Sequence, residues 1–163
     1  MSGVFYTQME SPVGPLLLGG DRDSLRFVSF GSSQRCVKPQ PDWTEDKASF
    51  AEVMRQLRAY FDGRLKEFDV PLTLEGTDFQ RRVWTRLLAI PYGETISYAE
   101  LAQRIGNPKA MRAVGLANGS NPIPIIIPCH RVIGSNGSLT GFGGGLDTKK
   151  RLLALESKQI TLL

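Results

Sequence analysis

The chain has 163 residues, of which 41% are hydrophobic and 22% charged, as in soluble globular proteins that bury a sizeable core. Lysine and arginine together number 20 against 16 acidic residues, and the net charge of +4 is too small to demonstrate a polyanionic partner by itself. Two cysteines and one histidine imply no disulfide framework and argue against a zinc site, so we expect no metal.

The N-terminal residues lack the charged start and apolar centre of a signal peptide, and the most apolar run, IPIIIP, is too short to span a bilayer. We therefore expect a soluble protein with no membrane association, located in the cytoplasm or, in a eukaryote, in the nucleus. In such a reducing compartment the thiols stay free.

The first predicted element is a small antiparallel sheet over residues 3–30, where the strand-like segments VFYTQM, PLLLGG and SLRFVSF are separated by turn-forming residues. Polar and proline-containing residues 31–46 predict a loop, in which Cys36 is expected to be a bystander thiol. A helix is predicted over residues 48–62, because its apolar side chains share one face. These side chains are Phe50, Val53, Met54, Leu57, Tyr60 and Phe61. The following FDVPLTL is typical of a strand.

Residues 1–75 are therefore predicted to form an N-terminal α/β domain, and residues 76–163 a second domain. The second domain begins with a helix over residues 77–89, because Thr77 and Gln80 have the spacing of a capping box. The turn-forming IPYGET ends this helix.

Two short helices with the spacing of a helix-turn-helix follow. Ser97 and Glu100 form a second capping box, and Gly106 ends the first of the two helices. Asn107 as an N-cap and Pro108 at the first helical position predict that the next helix begins at once. An ordinary helical hairpin would show the same pattern, so the helix-turn-helix is a hypothesis at this point.

The second of these helices carries small side chains and one prominent cation, Arg112. The small residues are Ala110, Ala113, Gly115 and Ala117. They would allow close packing against the protein core. They would equally suit a helix pressed into a DNA groove with one side chain inserted between the bases.

Basic residues are concentrated in this part of the chain. Between Ser97 and Arg151 there are seven basic residues, and the acidic ones are Glu100 and Asp147. We expect a one-sided basic surface suited to phosphates, with an ordinary solvated face as the alternative.

The stretch IPCHRV places the single histidine, His130, directly after Cys129. A thiol is a nucleophile only as thiolate, and an unassisted cysteine with a pKa of ~8.5 is only a few per cent ionised at neutral pH. We expect the preceding PIIIP to be buried and the segment to be extended. Neighbouring side chains of an extended chain point to opposite sides, so Cys129 and His130 would need a bend or a bridging water to communicate. Residue types alone favour an inert buried cysteine.

Two further features follow Cys129. The run GFGGG lacks the context of a nucleotide-binding loop and suggests a close backbone approach to a ligand. A final helix is predicted over residues 148–157, with Leu152, Leu153 and Leu155 facing the core and Glu156 near its end.

Three stretches, GNPKAMRAVGLAN, NPIPIIIPCHRVIG and GFGGGLDTKKRLLALE, resemble the O6-alkylguanine-DNA alkyltransferase family, the methylated-DNA–protein-cysteine methyltransferases. The match runs without a visible gap from Thr77 to Glu156, and PCHRV with its flanks is highly specific. The resemblance implies an α+β protein with a ribonuclease-H-like N-terminal sheet and helix. It also implies a C-terminal helix-turn-helix or winged-helix-like domain that bears the active-site cysteine.

Catalytic roles are implied by the same resemblance. Cys129 would accept the alkyl group, and His130, oriented by Glu156, would take the thiol proton through a bridging water. Tyr98 would donate a proton to guanine N3 and crowd the phosphate, so that the nucleotide rotates out of the duplex. Asn121 would act as the hinge between the recognition helix and the active-site strand.

The implied substrate pocket has Pro124 and Phe142 as apolar walls. The backbone carbonyls of Cys129 and Val132 would read the guanine amino group, and the backbone amide of Gly143 would face O6. Because some relatives carry serine and tyrosine where this chain has Gly143 and Phe142, the tolerated alkyl size stays open.

The implied DNA contacts centre on Arg112, which would fill the space left in the base stack by the extruded nucleotide. Ala113, Gly115 and Ser135 would contact the DNA around it, and Tyr98 would contribute as well.

The implied reaction is DNA repair by direct reversal, with irreversible transfer of the alkyl group from O6-alkylguanine, and from O4-alkylthymine, in double-stranded DNA to Cys129. Attack on an sp³ carbon would need no metal or cofactor, so none is expected. One molecule would repair one lesion, acting as a monomer, with cooperative binding on DNA left open. Two other hypotheses stay open. One is a cysteine hydrolase that uses Cys129 and His130 for acyl transfer, and the other is a DNA-binding module that recognises alkylated bases without repairing them.

Overall fold

The structure is a computed structural model that describes residues 3–33, 36–134, 137, 142 and 145–161, with side chains to residue 157 in the last range. The chain divides into two compact units between Leu74 and Glu75. Among the described residues, no helix combines the length and the hydrophobicity needed to cross a bilayer.

The first unit contains a four-stranded sheet with the strand order β3-β2-β1-β4. Its strands are β1 (Phe5–Met9), β2 (Leu16–Gly20), β3 (Leu25–Phe30) and β4 (Thr44–Glu45). The predicted antiparallel sheet is confirmed, since β1 pairs with β2 and β2 with β3 in antiparallel register. The predicted loop over 31–46 was wrong at its end, where β4 adds to β1 in parallel.

The helix of this unit, α1 (Ala51–Phe61), follows a 3₁₀ helix at Lys47–Phe50, whose N-cap Asp46 accepts a hydrogen bond from the Ser49 amide. Its apolar face is buried as predicted, except for Phe61, which is half-buried. Because this face covers the core of the unit, its burial is the main stabilising contribution of α1.

The predicted strand in FDVPLTL was wrong, since only Leu72 forms an isolated bridge, with Leu25. The reason is visible at Asp69, whose amide donates to Gln56 Oε1 at 2.8 Å and whose carbonyl accepts from Gln56 Nε2 at 3.0 Å. A buried side chain therefore satisfies the backbone groups that a strand would need, and Pro71 has no amide hydrogen to donate.

The second unit is mostly helical. Its elements are α2 (Asp78–Leu87), β5 (Ile96–Ser97), α3 (Tyr98–Arg104), α4 (Met111–Gly119), a 3₁₀ helix (Cys129–Arg131), β6 (Val132–Ile133) and α5 (Leu146–Thr161). Helices α2, α3 and α4 pack against one another. The buried Trp84 ring anchors this packing, with its Nε1 donating to the Ala117 carbonyl at 2.8 Å.

The helix starts follow local signals to different degrees. The capping box at α2 is confirmed in both bonds, between Thr77 and Gln80. At α3, the Ser97 hydroxyl accepts from the Glu100 amide at 3.0 Å, while the Glu100 carboxylate pairs with Arg104 at 3.3 Å.

The predicted start of the next helix at Asn107 was wrong. Helix α4 begins at Met111, and the Ala110 amide donates to the Asn107 carbonyl at 3.0 Å, which closes a turn. Proline is favoured at the second position of a β-turn as well as in the first turn of a helix, so Pro108 is compatible with either structure.

The small residues of α4 do not share one face. Ala117 is buried in the core and Ala113 is exposed. Gly115 is half-buried, and the Tyr98 ring lies 3.9 Å from the position that a Cβ atom would occupy there. The exposed side of α4 is instead built by Met111, Arg112, Ala113 and Leu116.

Candidate active site

The segment between α4 and Cys129 is a series of turns, so the predicted extended conformation was wrong, although the predicted burial of PIIIP is confirmed. The Asn121 side chain organises it, with Nδ2 donating to the Ile127 carbonyl at 2.8 Å and Oδ1 accepting from the Ile123 amide at 2.9 Å. Ile125 is the one described non-glycine residue with a positive φ, 75°. A branched side chain in this region indicates a tightly constrained backbone.

Cys129 opens the 3₁₀ helix that this segment leads into. Successive side chains of a 3₁₀ helix are about 120° apart, because it has about three residues per turn, so Cys129 and His130 do not point to opposite sides as they would in a strand. The Arg131 amide donates to the Pro128 carbonyl at 3.0 Å and fixes the turn.

The Cys129 thiol is 4% exposed. Burial raises its pKa to about 11, although a hydrogen bond with Asn121 and the charge of Lys149 act in the opposite direction. The thiol is therefore protonated at neutral pH in the resting protein.

His130 is fully buried, and its Nε2 lies 2.6 Å from Glu156 Oε2. Burial lowers the pKa of His130, and the bond to Glu156 only partly opposes this effect. The ring is then neutral at pH 7, with Nε2–H donating to Glu156. Its second nitrogen, Nδ1, is buried and has no hydrogen-bond partner among the described residues. That nitrogen carries a free lone pair that can accept a proton.

Arg131 clamps Glu156 from the other side. Its Nε and Nη2 donate to the two carboxylate oxygens at 2.9 and 3.0 Å, and Nη1 donates to the Ile90 carbonyl at 2.6 Å. Burial alone would raise the pKa of Glu156, but the hydrogen bond from His130 and the bonds and charge of Arg131 outweigh it and hold the pKa at about 2. The Gly93 amide adds a contact of 3.4 Å. Glu156 is thus ionised, and hydrogen bonds hold both of its carboxylate oxygens in place.

Three residues of this site were missed by the sequence reasoning, namely Arg131, described above, Asn118 and Lys149. Asn118 Nδ2 donates to the Cys129 carbonyl at 3.3 Å, and Lys149 Nζ donates to the Val132 carbonyl at 2.7 Å. The Cys129 carbonyl also accepts from the Val132 amide, so both of its lone pairs are used within the protein. A lysine in a polar-looking KKR run gave no signal that it would be buried.

The residues predicted for extrusion of the nucleotide lie on α3 and α4. Tyr98 is half-buried at the start of α3, directly after β5, which pairs in parallel with β6 at Ile96 and Val132. The Lys149 ammonium lies 5.9 Å from the centre of the Tyr98 ring. Arg112 is exposed and makes no hydrogen bond or ion pair with another described residue.

Of the predicted pocket residues, Pro124, Val132 and Phe142 are all buried. Gly143, and the predicted DNA contact Ser135, lie outside the described residues. The structure therefore bonds His130 to Glu156 and the Cys129 thiol to Asn121. Lys149 contacts both the Val132 carbonyl and the Tyr98 ring.

The predicted one-sided basic surface was partly wrong. Arg131 and Lys149 are buried, because their charges serve the site rather than the surface. Arg151 pairs with Asp147 at 3.1 Å. Within the described ranges, no group of three or more histidine, cysteine or acidic side chains is arranged to hold a metal ion.

Comparison with known proteins gives consistent matches along the chain. A family model described as the ribonuclease-like domain of 6-O-methylguanine DNA methyltransferase matches residues 4–74, and the DNA binding domain of the same family matches residues 78–158. The methylated-DNA–protein-cysteine methyltransferase of Methanosarcina acetivorans is 56% identical over 153 residues, which cover 94% of this chain and 98% of the relative.

Solved structures agree. A crystal structure of Mycobacterium tuberculosis O6-methylguanine methyltransferase has a TM-score of 0.89 at 52% identity and covers 98% of both chains. A crystal structure of Mycobacterium tuberculosis OGT in complex with DNA has the same TM-score of 0.89 at 53% identity, covering 95% of this chain and 94% of the other. The predicted α+β fold is confirmed, and the chain belongs to the 6-O-methylguanine DNA methyltransferase family, the methylated-DNA–protein-cysteine methyltransferases.

Proposed function

We propose that this protein repairs DNA by direct reversal, with Cys129 as the acceptor of the alkyl group of O6-alkylguanine and of O4-alkylthymine. The observation that carries the proposal is the buried chain of contacts from Arg131 through Glu156 to His130. It ends at Nδ1, which has no partner in the part of the chain that the structure describes and belongs to the residue next to Cys129. Family membership supports the reaction, and DNA is the partner of the domain that holds these residues.

In the proposed step, an S–C bond forms between Cys129 Sγ and the alkyl carbon while the bond from that carbon to guanine O6 breaks. The thiol proton passes to His130 Nδ1 through a water molecule. Guanine leaves with the proton that Tyr98 donates to N3. The thioether stays on the protein, so each molecule acts once.

The pKa directions determine how ionisation occurs. A thiol with a pKa of about 11 and an imidazole with a lowered pKa do not exchange a proton at rest. We infer that ionisation accompanies attack, when the departing guanine takes up negative charge. Glu156, kept ionised by Arg131, then stabilises the imidazolium that forms at His130. Asn121 and Lys149 favour the developing thiolate.

Access to the buried sulfur requires an extruded base, because an alkyl group inside the stacked duplex cannot be reached in line. Arg112 is exposed and unpaired among the described residues, so it can enter the space that the base leaves. The Tyr98 ring lies near Gly115 of α4 and near the Lys149 ammonium, and it would hinder the phosphate from returning. Ala113 and Gly115 allow the DNA to approach α4, and the protein acts as a monomer.

Intact mass spectrometry tests the proposal. Incubation with duplex DNA that contains O6-methylguanine should add one methyl mass (~14 Da) per molecule, located on the peptide that holds Cys129. Removal of more than one equivalent of methyl groups per protein, or an unmodified mass after the lesion is gone, would contradict a single-use acceptor. Turnover of an ester or amide would instead favour a cysteine hydrolase.

A further inference from the structure

An open groove of about 690 Å³ lies along α2 and the end of α3. Four arginines line it, and they are Arg81, Arg82, Arg86 and Arg104. Asp78 is the one acidic residue among its lining residues. None of these residues belongs to the cysteine site or to the exposed side of α4. The groove is therefore a second polar surface of the same unit, distinct from the one used in the proposed repair reaction.

The charges of this arginine groove are only partly neutralised. Arg81 bonds to Asp78, and Arg104 pairs with Glu100 at 3.3 Å. Arg82 and Arg86 are both exposed and form no hydrogen bond or ion pair with any other residue that the structure describes. Two guanidinium groups are thus available to an external anion.

The spacing of Arg82 and Arg86 places them side by side. Residues four apart on a helix share a face and are separated by about 6 Å along its axis. Like charges at this spacing destabilise a helix, so the pair is more favourable when an anion lies between or beside the two groups. Guanidinium groups bind phosphate oxygens through two parallel hydrogen bonds, which lysine cannot do.

We propose that the arginine groove binds the sugar-phosphate backbone of duplex DNA away from the nucleotide that is extruded. The groove is open and lined by four arginines, so it suits an anion that presents several phosphates along its length rather than a single small ion. The inference rests on the proposed function for the identity of the DNA-binding unit, residues 78–158, in which all four arginines lie.

The test measures the affinity for an unmodified duplex at several salt concentrations, using the variant R82A/R86A. Each lost phosphate contact should lower the slope of log K against log salt by about 0.9, so the double variant should lose close to 2. Arg58→Ala removes one exposed arginine, unpaired among the described residues, from α1 in the first unit and should leave the slope unchanged. The charge-conserving variant R82K/R86K should keep most of the slope.

Alkyl transfer from the free base O6-benzylguanine separates this inference from the repair reaction. It should proceed at the wild-type rate in R82A/R86A, which also shows that the variant is folded. A wild-type slope in R82A/R86A would overturn the inference, whatever the protein does to alkylguanine. Loss of binding to poly-L-glutamate with an unchanged DNA slope would equally overturn it and assign the groove to an acidic protein partner.

Discussion

Two regions of the second unit use arginine in opposite ways. One is the buried cluster of Arg131, Glu156 and His130, and the other is the exposed side of α4 around Arg112. Arg131 is 6% exposed and directs its three nitrogens to Glu156 and Ile90. Arg112 is exposed and makes no polar contact with another described residue. The first arginine is part of the folded structure, while the second is available for a partner.

This difference predicts which substitutions will affect folding and which will affect only the contacts made in a complex. Breaking a buried ion pair leaves an uncompensated charge, so it affects both folding and chemistry. Removing an exposed, unpaired side chain leaves the fold intact and affects only what the side chain meets in a complex. The substitutions and conditions below test this division.

Cys129→Ala should have the largest effect, since it removes the acceptor atom. Alkyl transfer should fall below detection, measured by intact mass after incubation with alkylated duplex, while affinity for that duplex is retained. Cys36→Ala is the matched control because it removes the other thiol, and it should keep full activity. Residual transfer in Cys129→Ala would mean that another atom accepts the group.

Glu156→Gln should lower both stability and rate. The uncharged amide leaves the Arg131 charge buried without its partner, so the free energy of unfolding should fall by about 3–5 kcal/mol. The rate of transfer should fall by roughly 10²-fold or more, because the proton acceptor loses its electrostatic support. Chemical denaturation and single-turnover kinetics measure the two effects.

Glu52→Gln is the control for this prediction. Bonds from Arg55 and Gln56 also hold the pKa of Glu52 at about 2, but its side chain is 59% exposed. Water screens an exposed pair, so the change in stability should be far smaller than for Glu156. Equal losses in the two variants would show that burial does not set the difference.

Arg112→Ala should leave stability within about 0.5 kcal/mol of the wild type, because the side chain has no internal partner among the described residues. Repair of alkylguanine in a duplex should slow by roughly tenfold or more, since nothing then offsets the loss of base stacking. Transfer from free O6-benzylguanine should be unchanged. A similar loss on both substrates would place Arg112 in the chemistry instead of in base extrusion.

The rate of alkyl transfer should change less between pH 7 and 8 than it does in the Cys129, Glu156 and Arg112 variants above. The pKa of His130 is lowered from its ordinary value of 6.5, so the ring is already unprotonated at pH 7. Transfer from O6-benzylguanine should therefore be constant between about pH 7 and 8 and fall only below 6.5. An inflection above pH 7 would show that another group limits the rate.

The free energy of unfolding should also decrease as the pH is lowered. A folded-state pKa below the ordinary value means that protonation of His130 favours unfolding as the pH drops below 6.5. Glu156 adds a contribution that is complete above its ordinary 4.5 and is lost as the pH falls towards 2. Thermal unfolding at a series of acidic pH values measures both.

Short-range signals in the sequence predicted the elements that depend on neighbouring residues. The capping box at Thr77, the N-cap at Ser97 and the antiparallel strands were predicted because their signals lie in short stretches of the chain. The start of α4 was misplaced for the same reason, since Pro108 satisfies two local patterns and only packing of α4 decides between them.

Long-range partners could not be read from the chain. The Arg131 side chain bonds to Ile90, which is 41 positions away, and Asp69 uses the Gln56 side chain in place of a strand. Cys129, His130 and Glu156 were identified by resemblance, but the raised pKa of the thiol depends on the burial of the 3₁₀ turn. Residue types alone did not predict this raised pKa.

The enclosure of Cys129 has a consequence for chemical selectivity. Small electrophiles and oxidants in solution react with thiolates that they can reach, and this sulfur is covered, uncharged at rest and ready only when a purine is delivered to it. Cys36, which is partly exposed, should be the first sulfur modified by a reagent such as iodoacetamide. Cys129 should therefore react more slowly than Cys36 with such reagents in the absence of DNA.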